Sequence, residues 1–261
     1  MNRLTKLFAE KDKDLLSIFF TAGYPELEST VPILKALEKG GVDMVEVGIP
    51  FSDPMADGPV IQASSAKALH NGMSLKKLME QVKEARTLVK DMPFIMMGYL
   101  NPVMKYGIDK FFHDAHQAGV DALILPDLPF DDYLSEFKAL SRKYDLPVIM
   151  LITPETSEQR INLIDNHCDG FIYMVSAAST TGAKDRYTDE QLDYFRRINS
   201  MPLKHRRLIG FGISNPTTLG QACENSSGAI IGSHFIKCLD KANGNPEEAV
   251  KILLESIGKS N

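Results

Sequence analysis

The sequence predicts an α/β fold, a (β/α)8 (TIM) barrel with an extra helix before the first strand and a short phosphate-binding helix after the eighth. Three observations predict it. Eight short apolar runs alternate with helical patterns along the 261 residues. Such alternation implies parallel strands joined by right-handed crossovers. Eight units in this length match a closed barrel, with a doubly wound open sheet as the alternative. Finally, no Ser/Gly linker or low-complexity segment interrupts the pattern, so residues 1–261 read as one barrel domain.

Residues 2–11 read as an amphipathic helix with Leu4, Leu7 and Phe8 on one face. The first strand is Leu15 to Phe20, ended by Thr21-Ala22-Gly23-Tyr24-Pro25, and a helix then runs to about Glu38, closed by Gly40-Gly41. The second strand is Met44–Ile49, followed by helices near 60–70 and 75–90. The third is Phe94–Gly98, a strand broken by Asn101-Pro102, and a helix covers about 108–118, stopped by Gly119. Ala122–Leu125 and Val148–Ile152 are strands four and five, with helices over Asp131–Lys143 and about 157–166. Strand six, Gly170–Val175, leads through a polar loop to a helix near 189–199. Arg207–Gly210 and Gly228–Gly232 are strands seven and eight, with helices near 216–224, 234–239 and 246–257.

The composition excludes several classes. Hydrophobic content is 44% and charged content 24%, ample for a core. The net charge is −5, and the basic cluster Lys204-His205-Arg206-Arg207 reads as a solvated loop before a strand, so no nucleic acid is expected. No apolar run approaches a membrane span, and the N-terminus lacks a cleavable signal pattern. Cys168, Cys223 and Cys238 are odd in number and far apart, as free thiols of a reducing cytoplasm would be. The histidines form no metal pattern, and His113 and His116 read as solvent-facing positions on one helix. No metal site is expected.

The stretch from Val45 to Pro59 carries the chemistry. Glu46 lies in the apolar run Met44-Val45-Glu46-Val47, and Asp57 follows on a loop stiffened by Pro50, Pro54 and Pro59. An edge-strand charge and a turn former are the ordinary readings. A strand inside a repeated β/α chain is covered on both faces, however, so its carboxylate must be hydrogen-bonded or protonated. Burial raises a glutamate's pKa towards neutrality, which suits proton transfer. The site of a barrel lies at the C-terminal ends of its strands, where this loop falls.

Gly210-Phe211-Gly212-Ile213-Ser214 follows strand seven, and Gly232-Ser233 follows strand eight and opens a short helix. Either could be plain turn glycine. Together, at the two loops where barrels often bind phosphate, they predict a phosphate site on backbone N–H groups at Gly212, Gly232 and Ser233. Gly182 on the strand-six loop adds a further donor, and no Lys or Arg is required. Phe19 and Met97 read as barrel packing able to line the pocket mouth. Tyr99 and Tyr173 sit at strand ends, where packing and ligand contact are both open. Asp127 reads as a hydrogen-bond anchor, and Thr181 as a loop residue able to bond Asp57.

With these motifs in place, the chain resembles the α subunit of tryptophan synthase. Glu46 to Pro59, Gly210 to Ser214, and Gly228-Ala229-Ile230-Ile231-Gly232-Ser233 match the family's patterns in order, and the resemblance spans essentially the whole chain. It implies a lyase that cleaves indole-3-glycerol phosphate to indole and glyceraldehyde 3-phosphate, with Glu46 as proton shuttle and Asp57 as the ionised acceptor of the indole N–H. It places the phosphate on Gly182, Gly212, Gly232 and Ser233, and Phe19, Met97 and Tyr173 around the indole. It implies no cofactor in this chain. The partner is a β subunit carrying pyridoxal phosphate (PLP) in an α2β2 complex, with Pro50 and Asp53 facing it. One departure stands out: many relatives have an arginine after the serine of the strand-six loop, where this chain has Ser176-Ala177-Ala178. Two rival readings remain at this stage. One is a sugar-phosphate isomerase or epimerase barrel; the other is an idle barrel that only activates a β subunit.

Overall fold

Branched and aromatic residues dominate the strand segments, and each segment is covered on both sides. The computed structural model describes residues 2–176 and 185–259. Its strands are β1 (Leu15–Thr21), β2 (Met44–Gly48), β3 (Phe94–Met97), β4 (Ala122–Ile124), β5 (Val148–Ile152), β6 (Phe171–Val175), β7 (Arg206–Gly210) and β8 (Gly228–Ile231). All pair in parallel, in chain order, and β8 pairs back onto β1, so the sheet closes into a barrel rather than an open sheet. Closure leaves no edge strand with unpaired backbone groups.

Strand side chains alternate between two environments, because successive Cβ atoms point to opposite faces. Leu15, Met44, Ile95, Ile124, Ile149, Phe171, Leu208 and Ile230 form one cluster that fills the barrel interior. The alternate positions, such as Ile18, Val45, Val47 and Ile209, join the larger layer beneath the helices. Helix α1 (Arg3–Glu10) sends Leu4 and Phe8 into the interior cluster, with Phe8 edge-on to Phe171 at 6.1 Å. It plugs the end of the barrel opposite the strand C-termini.

The outer helices follow in order. They are α2 (Thr30–Lys39), α3 (Pro59–His70), α4 (Leu75–Leu88), α5 (Leu100–Tyr106) and α6 (Ile108–Ala118). After them come α7 (Phe130–Asp132), which continues through a π turn (Tyr133–Phe137) into α8 (Lys138–Tyr144), and then α9 (Glu158–His167). The last four are α10 (Asp189–Ser200), α11 (Pro216–Asn225), α12 (Ser233–Lys241) and α13 (Pro246–Ser256). Every expected strand and helix is present with small shifts at the ends.

One helix was not expected. The third strand ends before Asn101-Pro102, but these two residues lie inside a helix, α5. The reason is position: Pro102 falls in the helix's first turn, where its missing N–H would have had no intrahelical partner. Asp127 completes this start by accepting the Leu100 N–H on both carboxylate oxygens, at 2.9 and 3.1 Å. The helix after β8 is also longer than the sequence suggests, nine residues from Ser233 to Lys241.

Candidate active site

A cavity opens at the C-terminal mouth of the barrel, with one acidic end and one end rich in backbone amides. Phe19, Glu46, Asp57, Met97 and Tyr173 line the first; Gly212, Gly232 and Ser233 line the second. The structure thus gathers residues from six strands and their loops into one space. Thr181 and Gly182 lie outside the described residues.

Glu46 reaches the cavity because it is two residues from Met44 and shares its inward face. Its side chain is fully buried. Ser17, on the adjacent strand β1, donates its hydroxyl to Glu46 Oε1 at 3.0 Å. Oε2 has no hydrogen-bond partner among the described residues. Desolvation pushes the carboxyl up to about 8, against a weaker downward pull from the Ser17 hydroxyl. At neutral pH the group therefore carries a proton. The apolar strand anticipated this, since a carboxylate there has almost no water to stabilise its charge.

Asp57 sits at the end of the β2–α3 loop and is only partly buried. Tyr99, just past β3, donates its hydroxyl to Asp57 Oδ2 at 2.8 Å and accepts the Ala56 N–H at 3.0 Å. The Tyr99 ring also packs against Phe51 of the same loop, with centroids 5.2 Å apart. Tyr99 is thus a hydrogen-bonded clamp on the loop. Burial pushes the Asp57 carboxyl upward, and the Tyr99 hydrogen bond pulls it down. Its shift is smaller than that of Glu46.

The opposite end is built from backbone. Phe211 and Gly212 both have positive φ, 72° and 80°. Ser176 Oγ and Tyr187 OH donate to the Phe211 carbonyl at 3.0 and 2.9 Å, which holds this turn against β6 and the start of α10. Glycine suits the second position because a left-handed backbone costs other residues roughly 1 kcal/mol or more. Ser233 is the first residue of α12, whose leading N–H groups lack intrahelical acceptors and favour an anion. Nearer the acidic end, a Cβ on Gly48 would lie 2.6 Å from the Phe19 ring, so the strand keeps glycine where the pocket wall leans over it.

Two titratable cavity residues escaped the sequence reading. His234 and Lys237 both line the amide-rich end. His234 Nε2 lies 2.7 Å from Ser256 Oγ, which donates its own proton to the Leu253 carbonyl, so Nε2 is the protonated nitrogen. The exposed Lys237 side chain has no hydrogen bond or ion pair among the described residues. A usable signal was present: Lys237 follows Ser233 by four residues, one helical turn along the same face.

Pro50 and Asp53 are placed differently from each other. Asp53 is exposed, whereas Pro50 is buried against the rest of the chain. Beside them Met55 is 92% exposed on the same loop. Among the described residues no group of three or more His, Cys, Asp or Glu side chains could hold a metal ion. No helix among the described residues is long and apolar enough to cross a membrane. The three cysteines are free, and His113 is exposed and paired with Asp114.

A closed (β/α)8 barrel with two carboxylates and an amide-lined end in one mouth cavity defines a barrel enzyme class. The comparisons specify it further. The family model described as tryptophan synthase alpha chain matches residues 5–261. The tryptophan synthase alpha chain of Parabacteroides distasonis is 56% identical over 257 residues, covering 98% of this chain and 99% of its own length. That of Bacteroides fragilis is 54% identical over 250 residues, covering 96% and 94%. The crystal structure of the α subunit from Legionella pneumophila superposes with a TM-score of 0.88 at 35% identity, covering 98% and 97%. A chain of the aminoacrylate-bound tryptophan synthase from M. tuberculosis gives 0.81 at 26% identity, covering 96% and 99%. The chain belongs to the tryptophan synthase alpha chain family. It is an enzyme subunit of tryptophan biosynthesis.

Proposed function

We propose that this chain performs the α-subunit reaction, cleaving indole-3-glycerol phosphate to indole and glyceraldehyde 3-phosphate, with Glu46 and Asp57 as the catalytic pair. One observation carries the assignment of roles: two carboxylates share a cavity, yet one is fully buried and raised to about 8 while the other is only partly buried and hydrogen-bonded to a phenol. Opposed environments let one site hold an acid and an anion together.

The reaction is a retro-aldol cleavage. Indole leaves only when its C3 carbon is protonated and positive charge at its nitrogen is stabilised. Protonated Glu46 delivers that proton to C3. Ionised Asp57 accepts the indole N–H. Loss of the glycerol hydroxyl proton to Glu46 then breaks the carbon–carbon bond, releasing indole and the aldehyde and restoring the acid. Phe19, Met97 and Tyr173 supply the apolar walls for the indole. Amides at Gly212 and Gly232, with Ser233 and the first turn of α12, hold the phosphate dianion, joined by Gly182 in this proposal.

The indole passes to a PLP-bearing β subunit in an α2β2 assembly, with this chain needing no cofactor of its own. The exposed Asp53 and Met55 suit contact with that partner. Pro50, being buried, acts by shaping the loop. Three free thiols fit a cytoplasmic setting. Thr181 closes over Asp57 during turnover, so Thr181→Val is expected to lower kcat and weaken the response to the β subunit.

The test is indole release from indole-3-glycerol phosphate by the purified chain, alone and with a β subunit, beside Glu46→Gln and Asp57→Asn. Slow release, accelerated by the partner and nearly lost in both variants, is expected. Full activity in either variant removes the assigned roles. Activity on pentose phosphates in place of the indole substrate would return the chain to the isomerase reading.

A further inference from the structure

Ser17 stands out in the barrel interior. It lies on β1 between Leu15 and Phe19, shares their inward face, and has no exposed surface. Barrel interiors are filled by branched apolar side chains, so a buried hydroxyl there requires a partner. Its partner is Glu46 Oε1 at 3.0 Å, across one parallel ladder in which Phe19 lies opposite Glu46. No other acceptor for the Ser17 hydroxyl is present among the described residues. If the Glu46 acid donated to Ser17 instead, the serine proton would be buried without an acceptor, at a cost of about 1–3 kcal/mol. The hydroxyl proton therefore goes to Oε1.

That assignment has a chemical consequence. The other oxygen, Oε2, is buried and unpartnered. With Oε1 occupied as an acceptor, the acid proton sits on Oε2. We infer that Ser17 is a positioning residue which holds the Glu46 carboxyl in one orientation, reserving Oε1 as the carbonyl oxygen and directing the transferable proton on Oε2 into the cavity. The inference rests on Glu46 being the proton shuttle.

The surroundings leave Ser17 as the polar neighbour best placed to do this. On β1 and β3, which flank β2, the facing residues are Ser17, Phe19, Ile95 and Met97. The titratable groups sharing the cavity are Tyr173 on β6, Asp57 on the β2–α3 loop, and His234 and Lys237 on α12 at the far end. The described hydrogen bonds to Glu46 come from none of these four. A hydrogen bond to the ionised form lowers a carboxyl pKa, and burial opposes it here. Removing Ser17 therefore raises the value further.

The experiment is Ser17→Ala, with Ser17→Thr as the conservative variant, in the complex with a β subunit. Expected for Ser17→Ala are a fall in kcat of roughly three- to tenfold with KM nearly unchanged, and an alkaline limb of the kcat profile moved to higher pH. Ser17→Thr, which keeps the hydroxyl, restores both. In difference infrared spectra, the protonated-carboxyl band identified by its absence in Glu46→Gln moves to higher frequency in Ser17→Ala, because the carbonyl oxygen has lost its donor. An unmoved band and an unmoved alkaline limb overturn the inference, whatever happens to kcat. The spectral arm needs folded protein but no turnover, so it separates this inference from the assigned reaction. If Glu46→Gln retains full indole release, the assigned reaction falls; if that variant is inactive while Ser17→Ala leaves band and profile unchanged, only the role of Ser17 falls.

Discussion

Glu46 and Asp57 are eleven positions apart in the chain, yet the floor and the rim of the cavity treat them oppositely. The floor is a strand. Its backbone is locked on both sides by β1 and β3, its glutamate is wholly buried, and its single hydrogen bond comes from a neighbouring strand. The rim is a loop. Its aspartate is partly buried and kept in place by one tyrosine that bonds both the carboxylate and the preceding backbone. A buried carboxyl with one donor stays protonated near neutral pH, and a partly solvated one with a strong donor ionises more readily. In the proposed roles, secondary structure sets the chemistry: the rigid strand holds the acid, and the loop holds the carboxylate that ionises more readily.

The largest expected effect separates the two roles. Glu46→Gln removes the proton donor and lowers kcat by roughly 10³-fold, in the range for general acid–base groups. Asp57→Asn, which keeps the shape but loses the charge, lowers it by about 10²-fold. Rates of indole formation decide this, and equal losses would erase the distinction between floor and rim.

Stability supplies the next test, with the sign reversed. The folded pKa of Glu46 is about 8 against an ordinary value of 4.5, so the native state holds the proton more tightly than the unfolded chain. Its contribution is fully present below the unfolded value and is lost as pH rises through about 8. Glu46→Gln escapes this loss. Its stability relative to the parent is expected to rise between pH 5 and 8 by roughly 2–4 kcal/mol, at about 1.4 kcal/mol per pKa unit. Denaturant titrations at the two pH values measure it, and a constant difference would place Glu46 in a wetter site than the floor described.

Tyr99→Phe sharpens the rim. Losing the phenol removes a donor to Asp57 and frees the loop backbone, so kcat is expected to drop about three- to tenfold. The acid limb moves to higher pH, because the hydrogen bond had favoured the ionised form. An unmoved acid limb would reduce Tyr99 to a packing residue. The smallest effect belongs to the far end. Lys237→Ala is expected to raise KM about two- to fivefold without changing kcat, and to weaken its dependence on salt, as for a screened cation near a phosphate.

Much of this was legible before any coordinates. Most strands announce themselves as short apolar runs ended by Gly or Pro, because a doubly covered strand can be apolar on both faces. Glu46 was legible for the same reason, being the one charge in its run. The short helix α5 was missed because proline breaks helix interiors but fits first turns, and the sequence does not say which turn Pro102 occupies. Pro50 also misled as a surface contact, since the loop folds it inward. Lys237 was missed because the glycines seemed sufficient for an anion, although helical spacing from Ser233 pointed to it.

What the sequence determined by itself was the local pattern: the alternation of elements, the inward face of β2, and the flexible turns at the amide-rich end. Those depend on residues within a few positions of each other, whose spacing decides their direction. Tertiary structure decided the pairs that tune the chemistry. Ser17 meets Glu46 across 29 positions and Tyr99 meets Asp57 across 42. The first contact follows from the β1–β2 register, and the second from the loop after β2 folding against the segment just past β3, so that distant side chains come within 3 Å of one another. A one-residue slip between β1 and β2 would turn Ser17 to the opposite face.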